Sequence, residues 1–408
     1  MRKTLALAVM MLAMTPSRAQ GGFDKSAVEI ASEMMPGWNL GNTMEAAMTN
    51  GEGSAALFNN NGSIASETAW QSTKTTQEVI DFVKSCGFKS VRIPCAWVLG
   101  HITDASAYTI DPLWMARVKE VVDYCINDSL YVMLNDHWDG GWMENNIGAA
   151  GEAKEKNKAV LKAVWTQVAN AFKDYDEHLV LAGLNEPAVE QQQLMDSLLE
   201  YEQLFVDVVR ATGGNNAKRL LVVQGPSTDA EKTCNWMADK MPQDPVGNKI
   251  GVEIHLYYPW NFWGMTEDAD WGKMFYYWGE GNHQSGSDHN ATYGEEADMT
   301  KLADRLKSMF VDKGIPVING EYGVIWRKIT GSGESQDKHN ASIRHYYKFM
   351  NKLCMERGIV PMAWDTNSLG NNPMTIINRS DLSVYNPFMM EGIREAVREV
   401  ASENVFRK

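Results

Sequence analysis

The sequence predicts an α/β protein: a single (β/α)₈ barrel of the TIM type, with a long Trp-rich loop after its sixth strand. Three observations lead to this fold class. Short apolar runs alternate with longer amphipathic stretches, which is the pattern of strand–helix units around a parallel sheet. Eight such units fit into roughly 370 residues, which favours a closed barrel over an open sheet. Polar residues also gather where the predicted strands end.

The predicted elements follow one another in strand–helix order. The fifth strand reads Leu-Leu-Val-Val at residues 220–223 and is apolar on both faces, as a buried parallel sheet requires. In order, the strands are predicted at residues 37–42, 90–96, 130–137, 179–187, 219–225, 251–259, 315–322 and 360–365. Helices are predicted between them at residues 75–86, 112–127, 153–174, 191–212, 229–240, 298–312 and 337–357, and a last helix at 387–401.

The first 19 residues are predicted to be a secretory signal peptide. Arg2 and Lys3 precede an apolar run at residues 5–14, and a small-x-small cleavage site lies before Gln20. The run is too short to span a bilayer, and no later segment is long and apolar enough to do so. Because no cysteine follows the run, we expect a secreted or periplasmic protein without a lipid anchor, whose barrel domain comprises residues 20–408.

Composition limits the classes of partner. The formal net charge of -14 argues against nucleic acid or an anionic membrane, whose phosphates would be repelled, and favours a neutral substrate. The 14 tryptophans indicate a ligand surface, with a Trp-rich core as the alternative. The five cysteines are scattered without a CxxC pair, so we expect buried thiols. We expect a monomer.

Polar residues lie at the carboxyl ends of six predicted strands. They are Arg92 before Pro94; Asn135, Asp136 and His137; Asn185 and Glu186; His255 and Tyr257; Glu321; and Trp364 and Asp365. In a barrel these ends form one face, and active sites are built there. One polar residue could merely end its strand, but six strands that end this way predict a functional site.

Glu186 and Glu321 would face each other across the mouth of the barrel, on strands four and seven. Glycoside hydrolysis uses such a pair: one carboxylic acid protonates the leaving oxygen, and one carboxylate attacks the anomeric carbon. The proton donor needs a raised pKa, which burial and a neighbouring negative charge supply. Arg92 beside Glu321 would lower the pKa of that carboxyl and hold it ionised. The alternative for a buried Glu, an ion-pair partner, is compatible with this role.

Neighbouring residues have candidate supporting roles. Asn185 could bind a sugar hydroxyl, although a bulge or distorted strand end is needed to bring it and Glu186 to the same face. His255 is suited to orient the acid and Tyr257 to hydrogen-bond the nucleophile; the alternative is that either is a core residue. Trp364 is the first candidate for a sugar-stacking platform, because it lies at a strand end.

A metal site is the main chemical rival. His137 with Asp136 and Asp139, or His283 with Asp288 and His289, could supply ligands, but neither set has the helical spacing of a zinc motif. We therefore expect no catalytic metal and no cofactor, and leave open a structural cation in the acidic loop at residues 288–298. The sequence lacks phosphate-binding glycine motifs and GxSxG.

Eight short segments carry a resemblance to a known family. They are Gly-Trp-Asn-Leu-Gly-Asn at 37–42, Glu-Thr-Ala-Trp at 67–70, Val-Arg-Ile-Pro at 91–94, Asn-Asp-His-Trp at 135–138, Leu-Asn-Glu-Pro at 184–187, His-Leu-Tyr at 255–257, Asn-Gly-Glu-Tyr-Gly at 319–323 and Ala-Trp-Asp at 363–365. The ordered set resembles glycoside hydrolase family five, whose cellulase-type members belong to a clan of retaining (β/α)₈ glycosidases.

The resemblance implies that Glu186 is the acid/base, that Glu321 is the nucleophile, and that cleavage is endo-acting, retaining and cofactor-free. It also implies a sugar subsite completed by Arg92, His137, Asn185, His255, Tyr257 and Trp364. Many relatives have a second histidine where this chain has Trp138. Trp138 is therefore expected to affect how the sugar beyond the cleavage point is held.

The expected activity is that of a secreted endo-β-1,4-glucanase acting on β-glucan or a related plant cell-wall polysaccharide. A mannanase or a xyloglucanase with the same pair is the alternative, and a non-catalytic glycan-binding barrel is a remote one. Retention requires the carboxyl groups of Glu186 and Glu321 to lie about 5–5.5 Å apart. Trp364 should expose an indole face to the same cleft.

Overall fold

The structure, a computed structural model, describes residues 23–48, 57–60 and 64–406. The predicted signal peptide lies outside these residues. Eight parallel strands form a closed ring: β1 Gly37–Asn39, β2 Ser90–Ile93, β3 Tyr131–Asn135, β4 Leu179–Ala182, β5 Leu221–Gln224, β6 Ile250–His255, β7 Val317–Tyr322 and β8 Ile359–Ala363. Each strand pairs with its sequence neighbours, and β1 closes the ring on β8. The predicted (β/α)₈ barrel is confirmed.

The eight predicted helices occur in the predicted order, together with two that were not predicted. They are α1 Ala27–Glu33, α2 Gln77–Ser85, α3 Pro112–Asn127, α4 Gly151–Phe172, α5 Met195–Ala211, α6 Ala230–Lys232, α7 Trp260–Trp263, α8 Glu296–Met309, α9 Gln336–Glu356 and α10 Pro387–Phe406. The helix predicted at 229–240 is shorter, because α6 passes into a π-helical turn at Thr233–Met237. No helix in the described part of the chain is both long and apolar enough to cross a membrane.

Four small elements were not predicted from the sequence: α1, α7 and two hairpins. Helix α1 begins at a capping box, in which Ser26 and Glu29 exchange side-chain and backbone hydrogen bonds. Its buried residues pack with inward-facing residues such as Met133, Val222 and Met362 in one core inside the barrel. The two hairpins are Ile102–Asp104 with Thr109–Ile110 and Ile377–Asn378 with Ser383–Val384.

Strand β7 carries one more residue than either neighbour at its carboxyl end. Ile254 of β6 pairs with Asn319, but the next residue, His255, pairs with Glu321. The pairing with β8 shows the same extra residue. A bulge of this kind changes the direction of the side chains that follow it. Here it lies at Gly320, directly before Glu321.

The loop between β6 and α8 is long and rich in tryptophan, as predicted. Trp278 is fully buried and donates its indole N–H to the carbonyl of Gly294. Trp260 and Trp271 are exposed. This loop therefore uses one tryptophan as an anchor and presents others to solvent. All five cysteines are buried and free.

Candidate active site

A cavity of about 560 Å³ lies at the carboxyl ends of the strands. Glu186, Tyr257, Glu321 and Trp364 contribute to its walls. These residues follow or end β4, β6, β7 and β8, so the site draws on separate strands, as active sites in this fold do. The structure brings both predicted glutamates to one cavity.

Arg92 is the centre of the site and is completely buried. Its Nη1 donates to Glu321 Oε1 at 2.7 Å and to Asn39 Oδ1 at 3.1 Å. Its Nη2 donates to Asn185 Oδ1 at 2.9 Å. A guanidinium is planar and holds its donors in a fixed fork, so each bond helps to fix the next acceptor. Arg92 therefore positions Glu321 and Asn185 together.

Glu321 is held at both carboxylate oxygens. Oε1 accepts from Arg92, and Oε2 accepts from the hydroxyl of Tyr257 at 3.0 Å. Burial raises the pKa of Glu321, and the positive charges of His255 and Arg92 offset only part of this rise. Arg92 does lower the pKa of this carboxyl, as expected, but burial outweighs it and the net shift is upward.

Glu186 is the more accessible of the two carboxylates, with a side chain 46% exposed. Its Oε1 lies 2.6 Å from Nδ1 of His255. Partial burial opposes ionisation of Glu186, but the hydrogen bond and charge of His255 outweigh it and lower the pKa of the carboxyl. The raised pKa expected for Glu186 is therefore not found in the free protein. Its neighbour holds the proton instead.

His255 is that proton holder. Burial alone would lower the pKa of this imidazole, but the carboxylates of Glu321, Glu186 and Glu253 together raise it to about 10. Its Nδ1 meets Glu186, and its Nε2 lies 3.2 Å from Glu253 Oε1. The short contact between this imidazolium and the carboxylate of Glu186 places the proton of His255 within reach of Glu186.

Asn185 and Glu186 reach the site without a bulge in their own strand. β4 ends at Ala182, so the alternation of a strand no longer applies to them. Glu144, from the loop after β3, fixes this segment: its Oε1 accepts from Asn185 Nδ2 and from the backbone N–H of Glu186, both at 2.7 Å. Burial raises the pKa of Glu144 to about 7. Sequence reasoning missed this residue.

Glu253 is a second missed residue. It lies beneath the site on β6 and is completely buried. Its Oε1 is 2.9 Å from Nε of Arg92, and its Oε2 accepts from Gln224 at 2.7 Å. A signal was present in the sequence: Glu253 precedes His255 by two residues in an apolar strand, and that spacing puts both on one face.

His137 and Trp364 lie side by side at the cavity. Their rings stack at 5.7 Å with an interplanar angle of 10°. Burial, together with the charges of Arg92 and His255, holds the pKa of His137 well below its usual value, so this imidazole is neutral. Its Nε2 lies 4.0 Å from Glu321 Oε1. Trp364 is half-buried and contributes to the cavity wall.

Residues 50–370 match the model of the cellulase family, glycosyl hydrolase family 5. The chain belongs to this family. It is therefore a glycoside hydrolase.

Two characterised relatives and one solved structure are similar to this family 5 chain. A xyloglucan-specific endo-β-1,4-glucanase of Bacteroides ovatus is 33% identical over 356 residues, 84% of this chain and 65% of that protein. Endoglucanase A of Ruminococcus albus is 33% identical over 389 residues, 91% of this chain and 93% of that protein. The crystal structure of a xyloglucan-specific β-1,4-glucanase from a ruminal metagenomic library, in complex with XXLG, has 45% identity and a TM-score of 0.81, covering 92% of this chain and 96% of that one.

Two groups of aromatic side chains lie in the loops that follow the strands of this family 5 hydrolase. Trp138 lies beside the exposed Trp70, with ring centroids 6.2 Å apart. In the second group, Trp263 packs on Tyr257 at 4.6 Å and on Trp260 at 4.8 Å between ring centroids. Indole faces suit the apolar faces of sugar rings. Of these side chains, Trp263 contributes to the wall of the cavity that holds the two glutamates.

The two sets of candidate metal ligands have different surroundings in the structure. Asp139 accepts from the backbone N–H groups of Trp97, Val98 and Leu99, which makes it a loop anchor. His283 pairs with Glu295. Ligand-type atoms of Asp288, His289 and Glu334 lie within 4.8 Å of one another. Two residues of the acidic loop thus form a group of oxygen and nitrogen donors with Glu334, which takes the place expected for His283.

Proposed function

We propose that this family 5 hydrolase is an endo-β-1,4-glucanase that cleaves by a retaining double displacement. The observation that carries the proposal is the pair Glu186 and Glu321, whose nearest carboxylate oxygens lie within 4.8 Å across the cavity. An inverting pair leaves about 6.5–9.5 Å between the carboxyl groups to admit a water. The short separation supports direct attack by one of the two carboxylates.

Glu321 is the nucleophile in this proposal. Arg92 and Tyr257 hold one of its oxygens each, so the carboxylate is aimed before the substrate arrives and needs no reorganisation. In the first step a Glu321 oxygen bonds to the anomeric carbon as the glycosidic C–O bond breaks. Glu186 gives its proton to the leaving oxygen.

His255 supplies the proton that Glu186 lacks in the free protein. Transfer from Nδ1 to Oε1 across their 2.6 Å contact neutralises both groups as the sugar chain displaces water from the cleft. In the second step Glu186 takes a proton from the attacking water, and the bond from the sugar to Glu321 breaks. The charge assignment of the free protein and the acid role of Glu186 are therefore compatible.

Xyloglucan is the finer substrate that we propose among the β-1,4-glucans. Similarity at 45% identity to a xyloglucan-specific β-1,4-glucanase supports this choice. Cellulose and mixed-linkage glucan share β-1,4-glucosyl units with xyloglucan, whereas a mannan backbone differs at a ring hydroxyl. A site with fixed polar contacts discriminates such a difference strongly.

The substrate test is a comparison of reducing-end release. Xyloglucan, carboxymethylcellulose, mixed-linkage glucan and glucomannan are incubated with equal amounts of enzyme. We expect release from the three glucans, fastest from xyloglucan, and a rapid fall in viscosity that identifies internal cleavage. Preferential release from glucomannan would contradict the proposed glucanase activity.

The catalytic test combines product stereochemistry with a variant. Proton NMR of the first products should show the β-anomer before mutarotation, since two displacements retain configuration. Glu321→Ala should lower the rate at least about 10³-fold on every glucan, because it removes the nucleophile. A parental rate in this variant would mean that the barrel only binds glycans.

We also propose that the protein acts outside the cytoplasm, as a monomer. The basic start and apolar run at the amino end support export. Expression with its own leader in a bacterial host should give a product outside the cytoplasm that begins at Gln20. Light scattering on that product gives the oligomeric state, and a dimer mass would contradict the monomer.

A further inference from the structure

Glu253 lies one layer below the cavity. It is completely buried, and period-two alternation along β6 puts it on the same inward face as His255. An isolated buried carboxylate is costly, so one that persists in an active-site barrel must be compensated by charges or hydrogen bonds. Its compensation comes from the residues that hold the two catalytic glutamates.

Three contacts connect Glu253 to those residues. Its Oε1 lies 2.9 Å from Nε of Arg92 and 3.2 Å from Nε2 of His255. Its Oε2 accepts from Gln224 Nε2 at 2.7 Å. Gln224 in turn accepts the backbone N–H of Leu184, two residues before Glu186. One carboxylate thus reaches the nucleophile through Arg92 and the acid through His255.

The backbone opposite Glu253 is a glycine, which leaves room for this carboxylate. A Cβ placed on Gly320 would lie 2.0 Å from Glu253 Oε1, closer than any side chain tolerates. Gly320 is the bulged residue of β7 that precedes Glu321. The bulge therefore turns Glu321 into the cavity and also opens the space that Glu253 occupies.

The charge of Glu253 influences both the nucleophile, Glu321, and the proton supply to Glu186. Arg92 contacts both Glu253 and Glu321, so its positive charge acts on both carboxylates and not on the nucleophile alone. A nucleophilic carboxylate that is less strongly neutralised attacks more readily. At the other end, Glu253 stabilises the positive charge of His255, and with it the proton that Glu186 requires.

We propose that Glu253 is a positioning residue for the proposed glycosidase reaction. Its carboxylate competes with Glu321 for the positive charge of Arg92. It also keeps His255 protonated, with Nδ1 directed at Glu186. It touches no reacting atom, and its effect passes through Arg92 and His255. This role rests on the assignment of Glu186 and Glu321 as the catalytic pair.

The test is a pH profile of kcat/KM for Glu253→Gln. The charged and titratable groups that face Arg92 and His255 stay in place: Glu144, Glu186, Tyr257, Glu321 and His137. With the negative charge gone, Arg92 acts on Glu321 alone and lowers its pKa, and His255 loses one of three carboxylates and its pKa also falls. Both limbs of the profile should move to lower pH by about one unit.

A buried pair outside the site provides the matched control. Glu67 is as buried as Glu253 and pairs with Arg117 at 2.7 Å. Glu67→Gln should lower thermal stability, as breaking a buried ion pair does, and leave both limbs at their parental positions. If Glu253→Gln behaves in the same way, its role is structural and the proposal is wrong.

Glu253→Asp separates charge from geometry. The shorter side chain keeps the charge but cannot contact Arg92 and His255 as closely. We expect limbs nearer to the parental positions than those of Glu253→Gln, with a reduced kcat. Limbs displaced as far as in Glu253→Gln would show that the charge does not matter.

A measurement without substrate distinguishes failure of this proposal from failure of the proposed function. NMR of labelled imidazoles follows the titration of His255, identified by the signal missing from His255→Asn. The parent should titrate near the pKa of about 10, and Glu253→Gln about one unit lower. A parental midpoint at the usual histidine value would overturn the proposal, even if Glu253→Gln did not fold.

Discussion

Tyr257→Phe is a sharp test of how Glu321 is held. The substitution removes one atom, the hydroxyl that donates to Oε2 of Glu321 at 3.0 Å, and leaves the Arg92 contact on Oε1 unchanged. A hydrogen bond to a charged group contributes about 1.5–3 kcal/mol. Since one pKa unit corresponds to about 1.36 kcal/mol, the pKa of Glu321 should rise by roughly one to two units.

The direction of this pKa shift depends on which protonation state of Glu321 the Tyr257 hydroxyl binds. Tyr257 donates to the ionised carboxylate, so its loss favours the protonated form, and burial already raises the pKa of Glu321. Because a protonated Glu321 cannot attack, the acid limb of kcat/KM should move to higher pH by roughly one to two units. The assay is initial-rate hydrolysis of a soluble β-1,4-glucan across the pH range.

The control removes the same chemical contact elsewhere. Tyr277 donates its hydroxyl to Glu334 Oε2 at 2.8 Å, in a part of the molecule away from the catalytic pair. Tyr277→Phe should leave the acid limb at its parental position. If Tyr257→Phe also leaves it there, or moves it to lower pH, then Glu321 is not the ionising group that limits the rate at acid pH.

Three further outcomes are expected. Trp364→Ala should lower kcat/KM about tenfold without moving either pH limb, because it removes a stacking face and no charge. Gly320→Ala should cost about 1–3 kcal/mol of unfolding free energy by denaturant titration, because its Cβ meets Glu253 at 2.0 Å. Glu144, whose pKa rises from 4.5 to about 7, binds a proton in the folded state that the unfolded chain releases. The stability of the parent therefore falls as the pH rises through this window. The Tm of Glu144→Gln should accordingly increase relative to that of the parent between pH 5 and about 7.

The barrel was predictable because each strand is buried on both faces and each helix is amphipathic. Those two patterns differ in period and alternate along the chain. The strand ends were less predictable. The strand predicted at 179–187 ends at Ala182, and Asn185 and Glu186 bind Arg92 and Glu144 in place of a neighbouring strand. Helix α1 was missed because it is short and recognised mainly by its cap.

The site was predictable where a polar residue interrupts an apolar strand end, as with Arg92 and Glu321. The charge states were not, because they depend on three-dimensional neighbours. The pKa values of Glu186 and Glu321 are shifted in the directions opposite to those expected. The charge of His255 lowers the pKa of Glu186, and burial raises that of Glu321 despite the positive charges of His255 and Arg92. Glu144 lies in a loop whose path to Asn185 no local pattern encodes.

The position of Arg92 has a consequence for refolding. Its partners come from β1, β6, β7 and the segment after β4, and β1 meets β8 only when the two ends of the chain come together. An intermediate with an open β1–β8 seam could hold most of its helices and still lack an assembled charge network. Recovery of activity therefore reports closure of the ring, while circular dichroism reports the earlier formation of helices.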